Sequence, residues 1–292
     1  MSHDMANGTA EGAGRDALSG LVGDRRVLER HWEHSPATMV SDLDPDAVFP
    51  LETAMGLWDR SGLPASFFRV FAGGEPVPQA EFSLRRARPA AGREPTADGR
   101  SLRSAFEGGA TVVFEEVRTV VAEVDDLAGA LERELGFRLY CAAFLTQAGN
   151  SGVRPHYDLS SGLLWQVHGS KNWAVGAPGE YLPTAPSGDS VGPFDPVFET
   201  ALRPRQVLYI PRGHPHAGAA TGEASLHLSF AVHPFTWKDL IQSQLRESVS
   251  DDAALREMLP LGHHRTRSAG ELLEEALARL PSKPRFTPPV PE

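Results

Sequence analysis

Two short stretches of this chain carry side chains able to grip a metal ion. In Arg154-Pro155-His156-Tyr157-Asp158 an imidazole and a carboxylate stand two residues apart. On an extended backbone alternate side chains share a face, so His156 and Asp158 point together and Tyr157 points away. In Val207-Leu208-Tyr209-Ile210-Pro211-Arg212-Gly213-His214-Pro215-His216 an apolar strand runs into a Pro/Gly turn, and the next strand opens on histidine. Spacing alone does not choose between His214 and His216, which share one side of an extended segment. The 58 residues from Asp158 to His216 allow several strands to wind away and return. Two histidines and one carboxylate on a small β-barrel form the facial triad of non-haem ferrous chemistry. Such a triad leaves three octahedral positions, two for a chelating 2-oxo acid and one for dioxygen. Zinc would more often complete a tetrahedron with soft or imidazole ligands. Lys171 is the third piece. It lies in the turn His168-Gly169-Ser170-Lys171-Asn172-Trp173 between two expected strands. Pointed inward, its ammonium would fix a distal carboxylate by a charge-assisted hydrogen bond.

These residues need strands to position them. After Gly136 the hydrophobic period is strand-like, and strands are expected over 138–146, 162–168, 172–175, 206–210 and 225–232, separated by Gly, Pro, Asn and Ser turns. Thr111-Val112-Val113-Phe114 is β-branched and aromatic and reads as a further strand. Many short strands with frequent turns point to a sandwich, barrel or jelly roll. Ahead of them, residues 124–135 read as a helix: Leu127, Leu131 and Leu135 recur at helical spacing, Asp125 and Asp126 stand at its start and Gly136 at its C-cap. Leu18, Leu21 and Val22, then Val27, Leu28, His31 and Trp32, mark earlier helical patches. From Thr236 the pattern is helical again, with Trp237, Leu240, Ile241 and Leu245 on one stripe. Trp165 and Trp173 read as barrel packing, and Cys141, within an apolar run, as a buried small hydrophobe.

The stretch Phe144-Leu145-Thr146-Gln147-Ala148-Gly149-Asn150-Ser151-Gly152-Val153 followed by Arg154-Pro155-His156-Tyr157-Asp158 resembles the JmjC-type ribosomal oxygenases of the cupin-like superfamily. Those proteins carry an apolar strand, a polar turn and Pro-His-Tyr-Asp. Leu164 to Trp173 is similar to their Leu-Gln-x-x-Gly-x-Lys-x-Trp segment, Leu208 to His216 to Leu-Tyr-x-Pro-Arg-Gly-x-x-His, and Ser225 to Ser229 to Ser-x-His-x-Thr/Ser. Arg30-His31-Trp32-Glu33-His34-Ser35-Pro36 is similar to their early Trp-x-x-x-Pro motif. The likeness covers most of residues 18–245. It implies a double-stranded β-helix (jelly roll) core, mainly β with flanking helices and a C-terminal helical segment. It implies Fe(II) held by His156, Asp158 and His216, with 2-oxoglutarate and O2 as co-substrates and Lys171 on the C5 carboxylate. It also places Tyr140, Thr146, Asn150 and His227 around the pocket. The implied reaction is hydroxylation of an amino-acid side chain in a protein or peptide, with release of succinate and CO2. A hydroxylase of a free amino acid or small natural-product intermediate, and a non-catalytic metabolite-binding protein, are the alternatives. Leu159-Ser160-Ser161-Gly162 departs from the acidic or polar residues that the family carries after the aspartate, so the family's targets need not carry over. The stretch after Phe235 reads as helices without the winged-helix domain of the larger members.

The organisation expected is a flexible tail over 1–17, a helical and mixed region over 18–110, the catalytic core over 111–235, C-terminal helices over 236–280 that the resemblance makes a homodimer contact, and a Pro-rich tail over 281–292. Residues 85–100, rich in Pro, Gly, Arg and Ala, read as a surface loop. Hydrophobic residues at 41% and charged residues at 23% support a packed core. The formal net charge of −10, without a Lys/Arg stripe, argues against a nucleic-acid or anionic-membrane partner. A single cysteine excludes an internal disulfide framework and a Cys-rich zinc site. The first fifteen residues lack an apolar signal segment, and no apolar run spans a membrane, so a cytoplasmic protein is expected.

Overall fold

The strands of this chain build a main sheet whose central members are buried on both faces and largely apolar, and a smaller sheet with a more exposed edge. In the computed structural model, which describes residues 16–84, 94–187, 191–251 and 253–280, they are β1 (Ala37–Val40), β2 (Phe68–Ala72), β3 (Glu75–Pro76), β4 (Thr111–Phe114), β5 (Leu139–Thr146), β6 (Ser161–His168), β7 (Lys171–Gly176), β8 (Pro196–Leu202), β9 (Gln206–Ile210), β10 (His216–Ala220) and β11 (Ser225–Val232). Eight of them form one sheet in the order β1-β9-β6-β11-β5-β4-β2-β3, and three form another in the order β10-β7-β8. Every pairing is antiparallel. This is the expected mainly β architecture with flanking helices. The tails at 1–15 and 281–292 and the 85–93 part of the expected loop lie outside the described residues.

Side-chain alternation sorts the main sheet into two layers. Leu163, Trp165 and Val167 of β6, Val207 and Tyr209 of β9, and Leu226, Leu228 and Phe230 of β11 enter the larger core. That core also takes Leu18 and Leu21 of α1 (Ala17–Val22), Leu28 of α2 (Arg25–His31), partly buried Val48 of α3 (Pro45–Val48), Leu57 of α4 (Leu51–Leu57), Leu102 of α5 (Gly99–Glu107) and Leu131 of α6 (Ala122–Leu135). The alternate residues face the small sheet: Leu164, Leu208 and Ile210 pack with Trp173, Val175 and Leu202. The region before residue 110 is more β-rich than its helical patches imply, since β1, β2 and β3 extend the main sheet on both sides. β1 and β2 are short and lack a long alternating pattern; their partners in β9 and β4 define them.

Three local expectations are corrected. Asp125 and Asp126 do not cap α6: its N-cap is Val121, without a side-chain bond, and Asp125 instead pairs with Arg118 at 2.7 Å. Gly136 does close the helix, in the left-handed region at φ 72°. Lys171 is the first residue of β7 rather than part of the turn, which is confined to Gly169 and Ser170. Gly99 and Arg100, read as loop, open α5 behind an Asp98 cap.

Two compact units, Met1–His233 and Pro234–Glu292, divide the chain. The second holds α7 (Trp237–Asp251), α8 (His263–Thr266) and α9 (Ala269–Ala278). A capping box between Ser268 and Glu271 starts α9. On α7 the stripe Trp237, Ile241 and Leu245 is exposed, Trp237 at 81%.

Candidate metal centre and co-substrate cleft

The chain between β5 and β6 is a loop in sequence and nearly a strand in space. It runs antiparallel to β10: Ala220 N–H donates to the Asn150 carbonyl at 2.9 Å, Gly152 N–H to Gly218 at 2.8 Å, and His156 and His216 exchange backbone bonds at 3.3 and 2.8 Å. An irregularity accommodates Val153, Arg154 and Pro155, with Arg154 N–H donating to Gly74 and its side chain paired to Glu75 at 2.7 Å. Backbone pairing thus places His156 directly across from His216. Their rings lie 4.5 Å apart.

Asp158 completes the group. Its carboxylate oxygens lie 3.9 Å from His156 Nε2 and 3.8 Å from His216 Nε2, and one donor atom from each of the three falls within 4.8 Å of the others. The tautomers are set from behind. His156 Nδ1 faces the Arg154 carbonyl at 2.9 Å and His216 Nδ1 the His214 carbonyl at 3.0 Å. Each Nδ1–H is therefore a donor, and each Nε2 lone pair faces Asp158. Burial, then the neighbouring His156 imidazole, pushes His216 down to about 4, so it is neutral and ligand-competent at pH 7. Placement separates the two downstream histidines: His216, not His214, falls in the cluster with His156 and Asp158. His214 is buried as well, but it contributes its carbonyl, and its Nδ1 has no partner among the described residues.

The triad lines one end of a cleft of about 620 Å³, counted out to its open mouth; Lys171 lines the same cleft. Lys171 is 2% exposed, and no ion pair to it forms among the described residues. Its ammonium donates to Thr146 Oγ1 at 3.2 Å and sits 5.1 Å from the Trp173 ring centroid. Thr146 is held by the Thr111 hydroxyl at 3.0 Å. Burial pushes Lys171 from 10.5 down to about 7. Two glycines make room for it: a Cβ on Gly152 would stand 3.0 Å from Lys171 Nζ, and one on Gly218 would stand 2.9 Å from Cε and 3.0 Å from Trp173. His227 stacks on Phe144 at 4.8 Å and meets Trp173 edge-on at 5.3 Å. Burial, then the Lys171 charge, holds it well below the usual histidine range. His227 Nδ1 and Trp173 Nε1 are buried without partners among the described residues. Such atoms are costly unless a ligand satisfies them.

The other expected pocket residues are placed less centrally. Tyr140 is half-buried and packs beside Ala142, Phe144 and Val153, and it is not on the cleft wall. The Asn150 amide bonds the Ala148 carbonyl at 2.8 Å within its own turn, and it too lies off the wall. Trp165 is core as expected; Trp173 lines the cleft. Sequence reasoning missed Phe144, Gly152, Gly218, Ser229 and Ala231. For Ser229 and Ala231 the signal was available, because both share the strand face of His227.

Residues 119–240 match the JmjC domain. The chain resembles the JmjC-type ribosomal oxygenases. It is 31% identical to mouse ribosomal oxygenase 2 over 166 residues, 52% of this chain and 34% of that protein. It is 32% identical to the bifunctional lysine-specific demethylase and histidyl-hydroxylase NO66 of Caenorhabditis briggsae over 149 residues, 47% of this chain and 19% of that protein. The matched JmjC region thus spans about a third or less of these relatives. Among solved structures, YcfD, a ribosomal oxygenase from Escherichia coli in complex with cobalt and 2-oxoglutarate, superposes with a TM-score of 0.56 at 19% identity, covering 89% of this chain and 67% of that one. That likeness bears out the double-stranded β-helix fold with helical segments.

Proposed function

We propose that this protein is an Fe(II)- and 2-oxoglutarate-dependent oxygenase that hydroxylates a C–H bond of an amino-acid side chain in a protein or peptide. The carrying observation is a buried lysine, without a counter-charge among the described residues, in the same cleft as a His-Asp-His cluster. A buried ammonium that meets only the Thr146 hydroxyl and the Trp173 ring among the described residues is a ready partner for an anionic ligand. Gly218, beside the Lys171 side chain, is two strand residues from His216, roughly 7 Å. A short dicarboxylate with one end on Lys171 reaches the triad from there. The cobalt and 2-oxoglutarate in the E. coli relative, and the histidyl-hydroxylase and ribosomal oxygenase names of the curated relatives, support the same reading.

His156, Asp158 and His216 would hold the iron, and the backbone carbonyls of Arg154 and His214 fix the two rings. Lys171, steadied by Thr146, binds the C5 carboxylate, while Phe144, Trp173 and His227 keep water from the keto acid. Bound iron would supply the redox chemistry that couples oxidative decarboxylation of the keto acid by O2, giving succinate and CO2, to insertion of the second oxygen atom into the substrate C–H bond. No side chain of the cleft needs to act as acid or base. The test is succinate release with Fe(II), 2-oxoglutarate and either peptide libraries or free amino acids, read with product mass. Peptide-dependent succinate and a 16 Da gain are expected, both lost in His156→Ala. Turnover on free amino acids alone would favour the small-molecule reading, and metal binding without any turnover the metabolite-binding one.

The reading extends to a homodimer formed through the exposed α7 stripe Trp237, Ile241 and Leu245, where a monomeric mass in light scattering would remove it. It also extends to a cytoplasmic setting, in keeping with one buried, unpaired cysteine.

A further inference from the structure

We infer that Glu33 and Arg212, 179 residues apart, form a clamp whose purpose is to position the metal triad; the inference rests on the function proposed above. Arg212 is 11% exposed and pairs with Glu33 through Nε at 2.6 Å. Glu33 itself is in the left-handed region at φ 58°, a strained conformation for a residue with a Cβ. That conformation lets its backbone N–H donate to the Tyr209 hydroxyl at 2.9 Å. The preceding Trp32 ring stacks on Tyr209 at 5.6 Å and 12°. On the other side, Arg212 N–H donates to Ser161 Oγ at 3.2 Å. Arg212 is thereby gripped at both its backbone and its side chain.

What Arg212 fixes is the turn between β9 and β10, and that turn touches two of the three triad residues. Gly213 N–H donates to the Asp158 carbonyl at 2.9 Å. The carbonyl of His214 orients the His216 ring. Gly213 is at φ 83° and an added Cβ would lie 2.5 Å from Pro183, so a side chain at this point of the turn would be both strained and clashing. Asp158 and His216 are already linked through the His156–His216 bridge, and the turn supplies a second hold on Asp158 beyond that bridge. The turn at Arg212 joins them, and Glu33 anchors the turn to the helical layer through the residue after α2. None of the clamp residues lines the cleft, so Glu33 and Arg212 are positioning residues.

The test is Co(II) binding, followed by calorimetry and by the visible spectrum of the bound ion, in the full chain. Glu33→Gln keeps shape and removes the charge; it is expected to weaken Co(II) binding about 10- to 100-fold, the range seen when groups behind metal ligands are lost. Arg212→Lys keeps the charge without the fork and should fall between Glu33→Gln and wild type. Glu134→Gln is the stability control. It removes a carboxylate that caps α1 through Ala17 and Leu18 N–H at 2.8 Å and has no link to the turn; Co(II) affinity should stay at the wild-type level at a comparable loss of Tm. Unchanged Co(II) affinity and spectrum in folded Glu33→Gln would overturn the clamp while leaving the proposed function standing. Equal weakening in Glu134→Gln would overturn it too. A wild-type chain that binds no Co(II) would remove the proposed function, and the clamp with it.

Discussion

Lys171 should make 2-oxoglutarate binding depend on pH in a direction opposite to simple acid titration of the ligand. In the free protein burial holds its ammonium at about 7, against the ordinary 10.5. A carboxylate beside it favours the charged form, so the bound state keeps the proton to a higher pH than the free protein does. Below about pH 7 the lysine is charged before and after binding, and affinity is flat. Between about 7 and 10 the free protein has lost a proton that the complex must regain. Affinity then falls by up to tenfold per pH unit, about 50-fold from pH 7 to 9. The assay is calorimetry of 2-oxoglutarate with Mn(II) present, in two buffers of different ionisation enthalpy. Near-zero proton uptake is expected at pH 6 and close to one proton at pH 8.5. Lys171→Met should lower affinity at least 100-fold and abolish the pH dependence. The same burial carries a stability signature. Because the folded-state value lies below the unfolded one, the cost of charging Lys171, at most about 5 kcal/mol, is fully present below pH 7. It is relieved as pH rises toward 10.5, so the ligand-free wild type should gain stability over that range while Lys171→Met does not. Wild-type affinity that stays constant from pH 7 to 9, with no proton uptake, would refute a buried lysine as the carboxylate anchor.

Three further outcomes follow from the geometry. His216→Ala should cost Co(II) binding more than 100-fold and His214→Ala less than tenfold, by calorimetry, since only the former ring faces Asp158. Gly218→Ala places a methyl 2.9 Å from Lys171 Cε; an overpacking cost of about 1–3 kcal/mol should appear as roughly tenfold or greater loss of 2-oxoglutarate affinity at unchanged Co(II) affinity. Glu132→Ala should destabilise the fold by about 3 kcal/mol in urea and leave both affinities alone. Glu132 is buried, accepts from Arg118 at 3.0 Å and from Leu139 N–H at 2.8 Å, and Asp125 remains to hold part of the Arg118 charge.

How much of this was legible before the fold differs from residue to residue. The strands 206–210 and 225–232 are read from sequence with their observed limits, because an apolar run in the first, and apolar residues alternating with Ser225, His227 and Ser229 in the second, are bounded by turn residues. α6 ends at Gly136 because glycine takes the left-handed conformation without a Cβ penalty. His156 and Asp158 share a face because a strand alternates. Each of these depends on neighbours within a few residues, and local order is what a sequence displays. β1, β2 and β3 were not legible, since a two- to five-residue strand is defined by the partner that pairs it.

The sequence by itself determined the chemistry on offer: the ligand types, a lysine beside the strands that carry them, and a β-rich architecture of the sandwich, barrel or jelly-roll kind. The tertiary structure decided the rest. It set which histidine meets Asp158, because backbone pairing puts residue 216 opposite 156 and turns the side chain of 214 elsewhere. It made Lys171 a charge in need of an anion, because Gly152 and Gly218, remote in sequence, leave room for its side chain and nothing more. Distances across a sheet are set by register and packing between segments far apart in the chain, and no local pattern encodes them.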